Sequence, residues 1–318
     1  MAYDIEREFP VPRTRSGGEV RRRRSMAERQ LAAQRLLFEV VDDNYDGELD
    51  IAWDRDPLPD VPWMPAELTS LYGTRVWNSL SGAQRDDLAR RELVQILKIA
   101  MYLESAVSML TFRTIAREQG YADDRTRYLL ATINERSRNV TMFSRLINRT
   151  GVEPDLDQRR ADRLARYVLL TPVGPLSRVL ILLATEFVSA IAQAIAHAED
   201  VQPHVLQLMK IHAVAGGRHA EFGRSELDEA VATGGGFSNR VQAILSLVLL
   251  IAIGPLLISR SIYEQVGISR TRATLAAFLG RQYRARTRLF AGAAADAADD
   301  AGLFGRVDRI ALRLGRVA

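Results

Sequence analysis

The stretch HAVAGGRHAEFGRSE, residues 212–226, decides how the rest of this chain is read. Its two histidines, His212 and His219, stand seven apart in strongly helical sequence. They therefore lie two turns apart on nearly one face of a helix. A carboxylate at the fourth position between them would complete a helix face built to hold metal. That position is Gly216. The segment has the form of a metal-binding helix that lacks its central ligand.

Outward from this helix the sequence is almost all helical. Ser81 caps a long helix predicted to run to about residue 118. A second runs from about Asp124 to Asn148 and ends at Gly151. A third covers about 157–170 and is broken by Pro172 and Pro175. Further helices are expected at about 176–198, 202–232, 239–266 and 269–292. Gly234-Gly235-Gly236 forms a connector, and a short amphipathic helix closes the chain. No useful strand alternation and no internal repeat interrupts the pattern. The expected fold is all-α: one bundle of long helices over 81–318. Residues 26–80 supply an N-terminal helix and an irregular Trp- and Pro-rich segment packed on the bundle. Residues 1–25 read as a disordered basic arm.

Composition narrows the function classes. There is no cysteine among the 318 residues, which excludes disulfides, thiolate metal sites and cysteine nucleophiles. The charge balance, 43 basic to 39 acidic, is close to even, and much of the surplus sits in the first 30 residues, notably Arg21 to Arg24. No compact basic or aromatic module follows that run, so nucleic acid is not an expected partner. The N-terminus lacks the apolar core of a secretory signal, and a cytoplasmic setting is expected. The longest apolar run, Ala243 to Ile258, is interrupted by Ser246, Gly254 and Pro255. It falls short of the roughly 20 residues of a membrane span and reads as a helix buried on all sides. Asp42 to Trp53 imitates a calcium loop, but its twelfth position is Trp53 rather than Glu, so calcium is not expected.

Two carboxylates stand inside otherwise apolar helices, Glu104 and Glu186. A buried charge is costly unless it is paired or bound to a cation. One Glu on each of two helices and two His on a third form the pattern of a metal site, present or former, inside a bundle. The second long helix should supply a Glu-x-x-His pair to a dinuclear centre, and it contains no histidine.

The chain resembles the p-aminobenzoate N-oxygenase (AurF) family, ferritin-like di-iron enzymes that oxidise aryl amines. The resemblance covers roughly residues 40–270. It is carried by YDGELDIAW (45–53), SLYGTRVW (70–77), the Glu104 helix, Arg138 with Met142-Phe143, and Ile211-His212 with Arg218-His219 and Phe222. It implies seven metal ligands. Glu104, Glu186, His212 and His219 match four of them, with the third-helix register open by one residue, so that Thr185 is the other candidate. Arg136, Asn139 and Gly216 stand at the other three. Two of those three are carboxylates that bridge the irons in the family. Glu135, next to a lost ligand, points about 100° away around the helix and does not simply substitute.

Arg136 cannot serve a cation site, but its fork of donors suits the carboxylates left without metal. It is expected to pair with Glu104, Glu186 or both, in room cleared by Gly216 and Gly217. The first functional reading is a pseudoenzyme. It would act as a homodimer, as a heterodimer with an intact paralogue, or as a binder of a small molecule in the old pocket. No cofactor is expected at full occupancy. The alternative is an active oxygenase with one iron per chain, held by His212, His219 and Glu186 as a two-His, one-carboxylate triad. Its weakness is reach, since residues seven apart lie about 10.5 Å apart along a helix axis.

Overall fold

The computed structural model describes residues 26–42, 45–117, 123–153, 166–198 and 200–318. The arm at 1–25, with Arg21–Arg24, and most of the helix expected at 157–170 lie outside these residues; 166–170 are helical. Among the described residues there are helices and no strand. They are α1 (Met26–Asp42), α2 (Arg75–Asn78), α3 (Gly82–Arg117), α4 (Asp124–Thr150), α5 (Pro175–Ala196), α6 (Pro203–Thr233), α7 (Gly236–Leu256), α8 (Arg260–Gln265), α9 (Arg270–Leu279), α10 (Arg281–Asp300) and α11 (Arg306–Leu314).

Local chemistry sets the helix ends. Ser81 and Gln84 cap α3 reciprocally: the Gln84 N–H donates to Ser81 Oγ, and the Ser81 N–H donates to Gln84 Oε1. Asp123 accepts from the Thr126 N–H at the start of α4, and Gly151 closes that helix with φ +66°. Pro175 and Pro203 each open a helix, where the missing N–H costs nothing.

Helices α3, α4, α5 and α6 form a closed ring, packing as α3 on α4, α3 on α5, α5 on α6 and α4 on α6. Helix α1 lies on α4 and α6, and α7 and α10 cover the outer side of α5. Trp53 and Trp63 of the irregular segment enter the main core. Trp77 belongs to a smaller cluster with Leu71, Leu88 and Tyr263.

Three expectations need correction. The helix expected at 239–266 breaks after Leu256, because Pro255 lacks an N–H and its ring crowds the preceding turn. The one expected at 269–292 breaks at Gly280 and then runs on to Asp300, since the alanine run beyond Ala291 is the best helix former available. The apolar run of α7 is not buried on all sides: Phe237, Val241, Ile244, Leu245 and Val248 are exposed. By length and composition α3, α5 and the stretch from α7 through α8 could each cross a membrane. The apolar windows of α3 and α5 are 56% and 67% buried inside the fold, whereas that of α7 is only 39% buried.

The last residue of the opening stretch ties four helices together. Glu226 of α6 accepts from Arg125 of α4 at 2.9 and 2.5 Å and from Arg29 of α1 at 3.1 Å, with Arg178 of α5 at 3.2 Å. Burial alone would raise its pKa. The Arg125 hydrogen bonds and the charges of Arg178, Arg125 and Arg29 outweigh burial and hold it at about 2.

Candidate metal centre

The ring of four helices brings Glu104, Arg136, Thr185 and His212 into its interior, all nearly inaccessible to solvent. Arg136 donates from Nη1 to Glu104 Oε2 at 2.7 Å and from Nη2 to Thr185 Oγ1 at 2.8 Å. Thr185 Oγ1 donates its own proton to the Ile181 carbonyl at 3.0 Å, leaving its lone pairs for the guanidinium. The fork therefore spans from α3 to α5 out of α4.

Glu186 is not part of this interior. It sits one residue, or 100°, around α5 and receives Arg224 Nη2 at 2.6 Å on the outer side of α6. Burial still raises its pKa against the Arg224 charge. Of the two candidates left open by the register, the structure brings Thr185 to Arg136 and leaves Glu186 with Arg224, so Arg136 pairs with Glu104 and not with Glu186.

A second pair lies beside the first. Glu135 Oε2 is 2.9 Å from His219 Nε2, and Arg218 Nη2 donates to Glu135 Oε1 at 3.2 Å. Burial opposes the Glu135 charge, but His219 at 2.9 Å and the charges of Arg218 and Arg138 hold its pKa below the ordinary carboxylate range. Helix geometry points Glu135 away from the face of Arg136, and so it stands. In a closed ring, however, that rotation turns it toward α6 rather than toward water. The sequence carries the signal: Tyr128, Thr132, Glu135, Asn139 and Met142 follow a four-three-four-three spacing, and all five are buried.

Asn139, at a position where the resemblance implies a ligand, accepts from Tyr45 OH at 3.0 Å. Arg138 donates to the Tyr45 carbonyl at 3.0 Å and lies 5.1 Å from the centre of its ring. Burial, then Glu135, pushes the Tyr45 hydroxyl up to about 12, so it remains a donor. His212 donates from Nδ1 to the Leu208 carbonyl at 2.9 Å and stacks on Phe143 at 4.8 Å. Its pKa is lowered by burial, so the ring is neutral with a bare Nε2 inside the core.

Gly216 has a different neighbour from the one expected. A Cβ built there would stand 2.5 Å from Ser189 Oγ and 2.9 Å from Ser189 Cβ. The room of the absent side chain is taken by α5 itself, not by the Arg136 head group. Gly217 has open space around it.

The donor set does not suit a cation. Among the described residues no three His, Asp or Glu side chains group to hold a metal ion. Glu104 and Glu135 each have a guanidinium against them, His219 lies against Glu135, and His212 Nε2 is buried without a hydrogen-bond partner. Two arginines and two carboxylates balance the interior charge.

The four-helix ring is an all-α bundle, an architecture whose facing helices can hold metal between them. The p-aminobenzoate N-oxygenase AurF family model matches residues 26–302, and the chain belongs to that family. No curated protein matches it. Among solved structures it is similar to an R2-like ligand-binding oxidase mutant with an aerobically reconstituted Mn/Fe cofactor. The two are 13% identical, with 84% of this chain and 92% of that one covered, at a TM-score of 0.50. It is also similar to an R2-like ligand-binding oxidase with an aerobically reconstituted metal cofactor after photoconversion, at 13% identity, 86% and 93% coverage and a TM-score of 0.49.

Proposed function

We propose that this chain is a non-catalytic member of its family, a partner subunit whose core is held by ion pairs. The observation that carries this reading is the Arg136 guanidinium, which lies between Glu104 and Thr185 with both ends of its fork used. A permanent cation at this point repels metal and satisfies the carboxylate that metal would have held. Such a subunit acts through its helical body, on a second copy or on a relative that carries all seven ligands.

Metal content tests it. Protein produced with iron and manganese available is expected to hold neither metal at stoichiometric level by elemental analysis. Arg136→Glu with Asn139→His and Gly216→Glu is expected to gain metal only when Ser189→Gly is added, because a glutamate side chain at position 216 and that of Ser189 cannot share one space. Two metals per chain in the parent would overturn the proposal. The partner half is checked by co-expression with an intact paralogue. A monomer in light scattering that captures no paralogue would count against it.

The bare His212 Nε2 favours a second reading, an oxygenase with a single iron. Its two expected co-ligands, His219 and Glu186, are engaged with Glu135 and Arg224. One iron per chain, lost on His212→Ala, would establish it.

A further inference from the structure

The C-terminal quarter of the chain presents a surface that neither the core nor its ion pairs explain. On α7, Phe237, Val241, Ile244, Leu245 and Val248 recur at spacings of three and four, and each is between 42% and 87% exposed. On α11, Val307, Ile310 and Leu314 form a second stripe, between 56% and 79% exposed. The two helices pack on each other. Arg240 pairs with Asp308 near their first turns, and Gly315 sits against Ile251 toward their far ends, so α11 runs alongside α7 in the same direction. Together the two stripes expose eight large apolar side chains, which is clustering rather than the scattered single residues of an ordinary surface.

The segment that carries this face is basic. Residues 236–318 contain twelve arginines, no lysine and five acidic side chains, a surplus of seven, larger than that of the whole chain. Each apolar residue of the α11 stripe follows an arginine: Arg306 before Val307, Arg309 before Ile310, Arg313 before Leu314. That places a row of guanidinium groups about 100° around the helix from the apolar row. Arg309 is held by Asp299 at 2.7 Å. Arg306 and Arg313 have no ion pair among the described residues.

An apolar stripe edged by arginines is the pattern of a helix that lies in the plane of a membrane interface. We propose that the α7–α11 face docks on an anionic lipid bilayer, with the apolar residues entering the headgroup boundary and the arginines meeting lipid phosphates. This is contact with one leaflet, not a span, and it is independent of what the core does. A second copy on the same face would bring two rows of α11 arginines together, which opposes that occupant.

Flotation of the full chain with phosphatidylcholine vesicles, with and without phosphatidylglycerol, tests the proposal. Binding is expected only to the anionic vesicles and should weaken as salt is raised. Arg306→Gln with Arg313→Gln should weaken it about thirtyfold, at roughly 1 kcal/mol per charge. Ile310→Ser with Leu314→Ser should also reduce it, while leaving thermal unfolding unchanged because both side chains are exposed. Equal affinity for neutral and anionic vesicles would overturn the proposal, as would no binding to either. If the chain instead forms a dimer that the serine variant dissociates, the face is an interface between copies and the lipid assignment fails.

Discussion

Arg136→Ala is expected to destabilise the chain by about 3–5 kcal/mol, the cost of leaving one member of a buried ion pair alone. Glu104 is almost wholly buried, and its Oε2 receives the guanidinium at 2.7 Å. Without Arg136 the carboxylate must take up a proton or draw in water, and Thr185 loses its donor. Arg136→Leu combined with Glu104→Leu should recover most of the loss, because removing both partners leaves no orphan charge. Denaturant titration measures both effects as a shift in midpoint at constant slope. A single variant as stable as the parent would mean that the pair contributes nothing. Equal losses in the single and double variants would mean that packing, not charge, is what Arg136 supplies.

Glu226→Gln is expected to cost a similar amount, because Arg125 and Arg178 are buried and Arg29 is mostly so. Its dependence on pH gives a sharper test. The folded pKa of Glu226 is depressed from 4.5 to about 2. A depressed carboxylate stabilises the fold above its unfolded pKa, and the contribution is lost as pH falls through the folded value. A shift of that size corresponds to about 3 kcal/mol. The stability gap between parent and Glu226→Gln should therefore be full above about pH 4.5 and narrow steadily toward pH 2. A gap that stays constant across that range would remove the carboxylate charge as its cause.

The helices are legible in the sequence wherever a cap or a breaker marks their ends, as at Ser81, Asp123, Gly151 and Pro175. The breaks after Leu256 and at Gly280 are harder to read, because apolar periodicity continues across both. Arg136 is legible because a guanidinium among expected ligands has few chemical outlets. The choice between Thr185 and Glu186 is not, since one residue is 100° of rotation and only the packing of α5 fixes it. The rotation of Glu135 away from Arg136 is legible, but not that it meets His219 rather than water, because α4 touches α3 on one side and α6 on another. The exposed stripe of α7 cannot be read at all. When nearly every position is apolar, periodicity no longer says which face meets water.

The close approach of Ser189 to Gly216 bears on the history of such a chain. Losing a ligand takes one substitution; once a neighbouring helix has settled into the space, regaining it takes several, in a required order. Ser189 must shrink before Gly216 can grow, and the intermediate with a small residue at both positions carries a cavity and no compensating metal, a net cost. Arg136 adds a second step of the same kind, because removing it ahead of a returning cation strands Glu104. Each step back passes through a less stable protein. On the function proposed above, the substitutions form a ratchet, and descendants of this chain would diversify around an ion-paired core rather than return to chemistry on metal.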